Sequence, residues 1–154
     1  MQGQTQLKIT IEDLRKEFDI KYRQLRKLLL ELYEKSKGLV PEELRIYAEI
    51  PSEFGEKYKG FVLFDEGEIC VEIDVSADPN RSIFKIFPLK YWIEAAIEKY
   101  KPYWSKRRVY EHLHEISEQI PYLFMTAVEE LKKQNKRIDE KLMKIQAILS
   151  ILQQ

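Results

Sequence analysis

One cysteine, Cys70, and two histidines, His112 and His114, leave little for metal or disulfide chemistry. A single thiol excludes an intrachain disulfide, and one thiol with two imidazoles cannot complete a four-ligand nitrogen–sulfur zinc site. Glycine (5 of 154 residues) and proline (6) are sparse, and no low-complexity segment or internal repeat occurs. The longest purely aliphatic run is Leu28-Leu29-Leu30, far short of a membrane span. Residues 1–6 are polar and lack the apolar core of a signal peptide, so a cytoplasmic chain away from membranes is expected. Excess charge of either sign is also missing: 26 basic and 26 acidic residues cancel. That balance excludes a uniformly basic nucleic-acid coat but leaves room for a local basic patch.

Apolar residues make up 44% of the chain, with nine Tyr, seven Phe and two Trp, which is too apolar and aromatic for a disordered protein. The length fits one domain with an appended element. Charge is distributed unevenly: residues 1–40 carry net +3, residues 41–90 net −5 and residues 91–154 net +2. The acidic third coincides with a change of hydrophobic period. Residues 11–36 and 89–152 read as helices and residues 44–87 as strands.

Thr10, with Asp13 three residues on, suggests a helix start, and Gly38 and Pro41 an end. Strands are expected at 44–50, 60–64, 68–76 and 82–87. In the third, Ile69, Val71, Ile73 and Val75 alternate with Glu68, Cys70, Glu72 and Asp74, the pattern of a half-buried strand. Asp65-Glu66-Gly67 reads as a hairpin turn and Ala77-Asp78-Pro79-Asn80 as a second. Three helices should follow. The first spans 89–101 with Trp92, Ile93, Ala96, Ile97 and Tyr100 on one stripe. The second is capped by Ser105, with Val109, Leu113, Ile116 and Ile120 on its stripe. The third runs from Pro121, where a first-turn proline is tolerated, to about 152. The expected fold is α+β: an N-terminal helix pair, an antiparallel β-meander of about four strands and three C-terminal helices. Residues 1–9 would form a flexible tail, 10–120 the α+β domain and 121–154 a coiled-coil or packing helix.

Within residues 10–32, Leu14, Phe18, Ile20 and Leu25 do not keep a clean helical period. A short helix, a tight turn near Asp19 and a second helix would explain the spacing. The pattern resembles the helix-turn-helix of DNA-binding proteins over about these residues. Arg15 and Asp19 depart from that family, which usually has a small residue and a glycine there. The resemblance implies that Lys21, Tyr22, Arg23, Gln24, Arg26 and Lys27 face DNA. Arg and Lys suit phosphates and guanine, and Gln suits adenine. In a winged variant, Lys57 and Lys59 would lie at the wing tip. The alternative is one amphipathic helix over 11–35 with a solvated Lys/Arg face, interspersed with Glu12, Asp13, Glu17 and Glu31.

Residues 99–110 interleave Lys99, Lys101, Lys106, Arg107 and Arg108 with Tyr100, Tyr103, Trp104 and Tyr110. Such a stretch can hold phosphates and stack bases. Cations in the first turn after Ser105 oppose the helix dipole, and a bound anion, Glu111 or an acid of the sheet such as Glu72 would relieve them. In the C-terminal helix, Phe124, Leu131, Ile138, Ile145 and Leu152 recur every seven residues, as do Val128, Asn135, Leu142 and Leu149. This is a coiled-coil seam over four repeats, with Asn135 its one polar member; the alternative is a stripe packed on the chain's own domain.

Glu68, Glu72 and Asp74 with Lys85 on the next strand suggest a distant third possibility, a metal-dependent nuclease. His112 and His114, two apart on a helix, cannot chelate together. We therefore read no catalytic residue, cofactor or metal site. The leading expectation is a non-enzymatic DNA-binding protein that self-associates, or binds a partner helix, through residues 121–152. The alternative is a protein-interaction or assembly subunit without DNA, and an unbroken helix at Asp19 favours it.

Overall fold

The first helix, α1 (Gln2–Ser36), runs without a break through the expected turn. The structure, a computed structural model, describes residues 2–52, 57–76, 78–98 and 105–154. Thr10, the expected cap, lies inside α1, and its hydroxyl donates to the Gln6 carbonyl at 2.9 Å. The helix-turn-helix is therefore corrected to one helix, for local reasons. No glycine or proline stands between Gly3 and Ser36 to break it, and aspartate costs a helix interior only a few tenths of a kcal/mol. Lys21 meets Glu17 at 2.5 Å, and Phe18 stacks on Tyr22 at 5.8 Å; both are four-residue pairs that span Asp19. Gly38, at φ 77°, ends the helical region in the left-handed conformation that glycine enters without strain, and its N–H donates to the Gly67 carbonyl at 3.0 Å.

Four antiparallel strands follow in sequence order: β1 (Ile46–Pro51), β2 (Lys57–Asp65), β3 (Glu68–Asp74) and β4 (Phe84–Pro88). The expected meander is present. Glu66 at φ 52° and Gly67 at φ 79° make the tight β2–β3 hairpin, where both central residues are left-handed. The second expected turn includes Ala77, which lies outside the described residues.

The β1–β2 ladder is irregular. Tyr47 pairs with Leu63 but Glu49 with Lys59, so Gly60, Phe61 and Val62 stand opposite Ala48 alone. The Phe61 and Val62 N–H groups donate instead to Gln119 Oε1, at 3.0 and 3.1 Å. Gly60 makes that approach possible, because a Cβ there would lie 2.4 Å from the same oxygen. One glutamine thus satisfies two amides of the bulge.

Two C-terminal helices are present among the described residues, α2 (Leu89–Glu98) and α3 (Lys106–Leu152), where three were expected. Residues 99–104 and the side chains of Ala96 and Ile97 lie outside the described residues. Ser105 caps α3 by accepting the Arg108 N–H at 3.1 Å, as its position implies. Pro121 does not start a helix; α3 continues through it. Pro121 itself is exposed, and α3 forgoes one backbone hydrogen bond there.

The core lies between one sheet face and the helices. Val62, Phe64, Ile69, Val71 and Ile73 meet Leu29 and Tyr33 of α1, Trp92 and Ile93 of α2, and Leu113, Ile116 and Leu123 of α3. Trp92 and Phe64 are among the largest fully buried side chains, and burial of one such side chain contributes about 1.5–3 kcal/mol.

Two substitutions test this architecture. Asp19→Pro should remove much of the helical circular-dichroism signal of residues 2–18 while the core still melts cooperatively; an unchanged signal would indicate a turn at that position. Gln119→Leu should cost about 2–4 kcal/mol in denaturant unfolding by leaving two amides unpaired. A loss below about 0.5 kcal/mol would mean that water satisfies them.

Candidate functional site

Both terminal helices outrun the sheet they cover. In α1 every residue from Gln2 to Lys21 is exposed. Leu7, Ile11, Leu14 and Phe18 follow one another at spacings of four, three and four, on the line that continues inward through Tyr22, Leu25 and Leu29. The inner part of α1 is tied down where Phe18 and Tyr22 each meet Tyr110 of α3 at 5.5 Å. In α3 the last buried residue is Ala127, Leu131 and Gln134 are half-buried, and everything from Asn135 onward is exposed. Each helix therefore has an inner half fastened to the core and an outer arm.

The α3 arm keeps its apolar pattern after leaving the domain. Val128, Ile138, Leu142, Ile145 and Leu149 are about half exposed, and Leu152 is 75% exposed. Ile148 and Ile151 widen the stripe toward the end. Lys132 with Glu129 at 3.4 Å and Lys133 with Glu130 at 3.9 Å line the polar side. Such exposed pairs contribute only a few tenths of a kcal/mol each. The oligomerisation residues expected from sequence, Leu131, Asn135, Ile138, Leu142, Ile145, Leu149 and Leu152, lie on this one helix and, Leu131 apart, outside the domain. The α1 stripe at residues 7–18 was missed because residues 1–9 read as a tail; its four-three-four spacing was the available signal.

The residues expected to face DNA lie on α1, β2 and the start of α3. Arg23, Gln24 and Lys27 are exposed on α1, and Lys21 is paired with Glu17. Tyr22 is half-buried, and its hydroxyl pKa is raised chiefly by that burial. Arg26 lies 5.9 Å over the Tyr22 ring with its Nε buried, which is unsuitable for reading a base edge. Lys59 lies 5.4 Å over Tyr47, the Lys57 backbone pairs with Pro51, and the side chain of Lys57 is outside the described residues. Lys106 is exposed at the start of α3.

Around Arg108 is an open cleft of about 330 Å³ lined by Phe61, Glu72, Ile73, Asp74, Glu111, His112 and Glu115. Arg107 pairs with Glu111 at 3.0 Å. Two backbone N–H groups, from Ser76 and Ile83, hold Asp74 below the usual carboxylate range, and Arg108 adds a smaller effect. Four carboxylates, Glu72, Asp74, Glu111 and Glu115, share the lining with Arg108, and an anion entering the cleft would meet their repulsion. His112 stacks on Phe61 at 4.7 Å and meets Trp92 edge-on at 5.3 Å. Burial, with Arg108 second, pushes its pKa down to about 4, so it is neutral at pH 7.

By register Lys85 stands opposite Ile73 and Glu72 opposite Ile86, so Lys85 is on the other sheet face from Glu72. Glu72 instead accepts a hydrogen bond from the Tyr47 hydroxyl, whose pKa burial and that bond raise to about 12. Burial likewise raises the Cys70 thiol to about 12, far from a thiolate nucleophile at neutral pH. Among the described residues no group of three or more His, Cys, Asp or Glu is placed to hold a metal, and no helix is long and apolar enough to cross a membrane. Comparison with protein-family models, curated proteins and solved structures finds no match.

The buried histidine gives a pH test. Its folded pKa is depressed, so the unfolded chain binds a proton first as pH falls below about 6.5. Stability is full above that pH and declines toward pH 4, by up to about 3 kcal/mol from this group. Denaturant unfolding at several pH values should show the decline, and His112→Phe should flatten it. An equal decline in the variant would assign the effect to other groups.

Proposed function

We propose that this protein is a non-enzymatic assembly subunit that associates with further copies of itself through the outer arm of α3, with the α1 arm as a second docking helix. The observation that carries this reading is the arm itself: residues 135–152 touch none of the sheet, yet keep a heptad stripe of Ile and Leu. A surface helix ordinarily turns such a stripe to a core, and one left in water marks an interaction site. The inner half of α3 has its core partner; the outer half has the same kind of face, left exposed among the described residues. The duplex-binding reading loses its motif with the unbroken helix at Asp19.

Sedimentation of the full chain tests the proposal. The wild type should sediment as an oligomer, and Leu142→Asp should shift it to the monomer. The variant should keep its folded domain, because Leu142 lies well beyond the last buried residue of α3. A wild type that remains monomeric at high concentration would overturn the reading.

A further inference from the structure

The heptad phase of α3 specifies how the copies would meet; this inference rests on the assembly reading above. Val128, Asn135, Leu142 and Leu149 occupy the a positions, and Leu131, Ile138, Ile145 and Leu152 the d positions. Phe124, the preceding d residue, belongs to the domain, where it meets Phe64 edge-on at 5.5 Å. Beyond Thr126 the seam emerges gradually: Val128 is about half exposed, Leu131 is still half-buried, and every residue from Asn135 on is exposed. The Thr126 hydroxyl accepts the Glu49 N–H of β1 at 3.0 Å.

We infer that the arms of two or more copies pair in parallel and in register, with Asn135 of each copy facing Asn135 of the next. Asn135 is the one polar residue on the seam. In parallel, in-register pairing its amide has a like amide to bond. An antiparallel pair sets every a residue against a d residue, so Asn135 would face Leu or Ile and be buried unpaired. A parallel pair slipped by one heptad sets it against Val128 or Leu142, with the same penalty. A single seam Asn is the known physical device for fixing register at some cost in stability.

The flanks agree. In the parallel arrangement Ala127 neighbours Lys132, Gln134 neighbours Asp139 and Lys141 neighbours Gln146 of the adjacent copy, so no like charges oppose each other. From Asn135 onward the seam is clear of the domain. Ile116, Ile120, Leu123 and Ala127, which face the core, centre about 80° around the helix from the line through Val128 and Leu131. The alignment is the same for two, three or four strands, and Leu at a with Ile at d below Asn135 favours the larger bundles. The folded domains would then gather at one end of the bundle.

Crosslinking in the full chain tests direction and register. Gln153→Cys places a thiol at the exposed end of α3, and Cys70 is buried and does not compete. In parallel copies these thiols are neighbours and should link or give excimer fluorescence when pyrene-labelled. In antiparallel copies each lies beside residues near 125 of the other chain. A mixture of Gln153→Cys and Met125→Cys should therefore give self-links at 153 and no crossed links. Asn135→Leu in the Gln153→Cys chain should raise the oligomer's melting temperature and lower the self-link yield more than twofold as registers mix. Crossed links in place of self-links, or a lower melting temperature in Asn135→Leu, would overturn the inference while leaving the assembly reading intact. A monomeric wild type would remove both.

Discussion

A mismatch of lengths governs this protein. The longest strand, β2, has nine residues and spans about 30 Å, whereas α3 has 47 residues and spans about 70 Å. The sheet has one apolar face to cover, and the inner halves of α1 and α3, with α2, suffice to cover it. Whatever apolar surface the helices carry beyond that has no place inside the chain. The arms follow from this geometry, and with them the proposed role in assembly.

The join between sheet and helix is held by a polar contact within an otherwise apolar layer. β2 bulges where Gly60, Phe61 and Val62 face Ala48, and Gln119 of α3 reaches in to accept two amide N–H bonds. Apolar burial fixes that α3 lies on the sheet, but it is non-directional and tolerates sliding. The bonds to Gln119, and the bond from Glu49 to Thr126, set where along its length α3 is anchored. They thereby set how much of α3 is left outside.

Charge works locally and against the expected ligand. The basic first turn of α3 could have been an anion site, but Glu111, Glu115, Glu72 and Asp74 converge on the same cleft. Across the cleft Arg108 of α3 exerts a small electrostatic effect on Asp74 of β3. His112, buried in the same layer against aromatic rings, adds no positive charge at neutral pH.

Much of the fold was legible because it rests on local pattern. The alternation of residues 68–75, the Asp65-Glu66-Gly67 turn, the stop at Gly38 and the Ser105 cap are decided within a few residues, by side-chain direction, left-handed backbone or a single cap bond. The α3 heptads were legible for the same reason. The helix break at Asp19 was misjudged because the Phe18–Ile20–Leu25 spacing assumed that every apolar residue seeks a core, whereas Ile20 is exposed. Pro121 was misjudged because a proline's cost depends on which side of the helix is wet. Sequence by itself therefore determined the element types, the meander and the heptad spacing of apolar residues along α3, all matters of periodicity and backbone preference. The tertiary structure alone decided that Gln119 serves a bulge sixty residues away, that Arg108 faces acids, and where the domain ends along α1 and α3, because each depends on residues distant in sequence meeting across a packed layer.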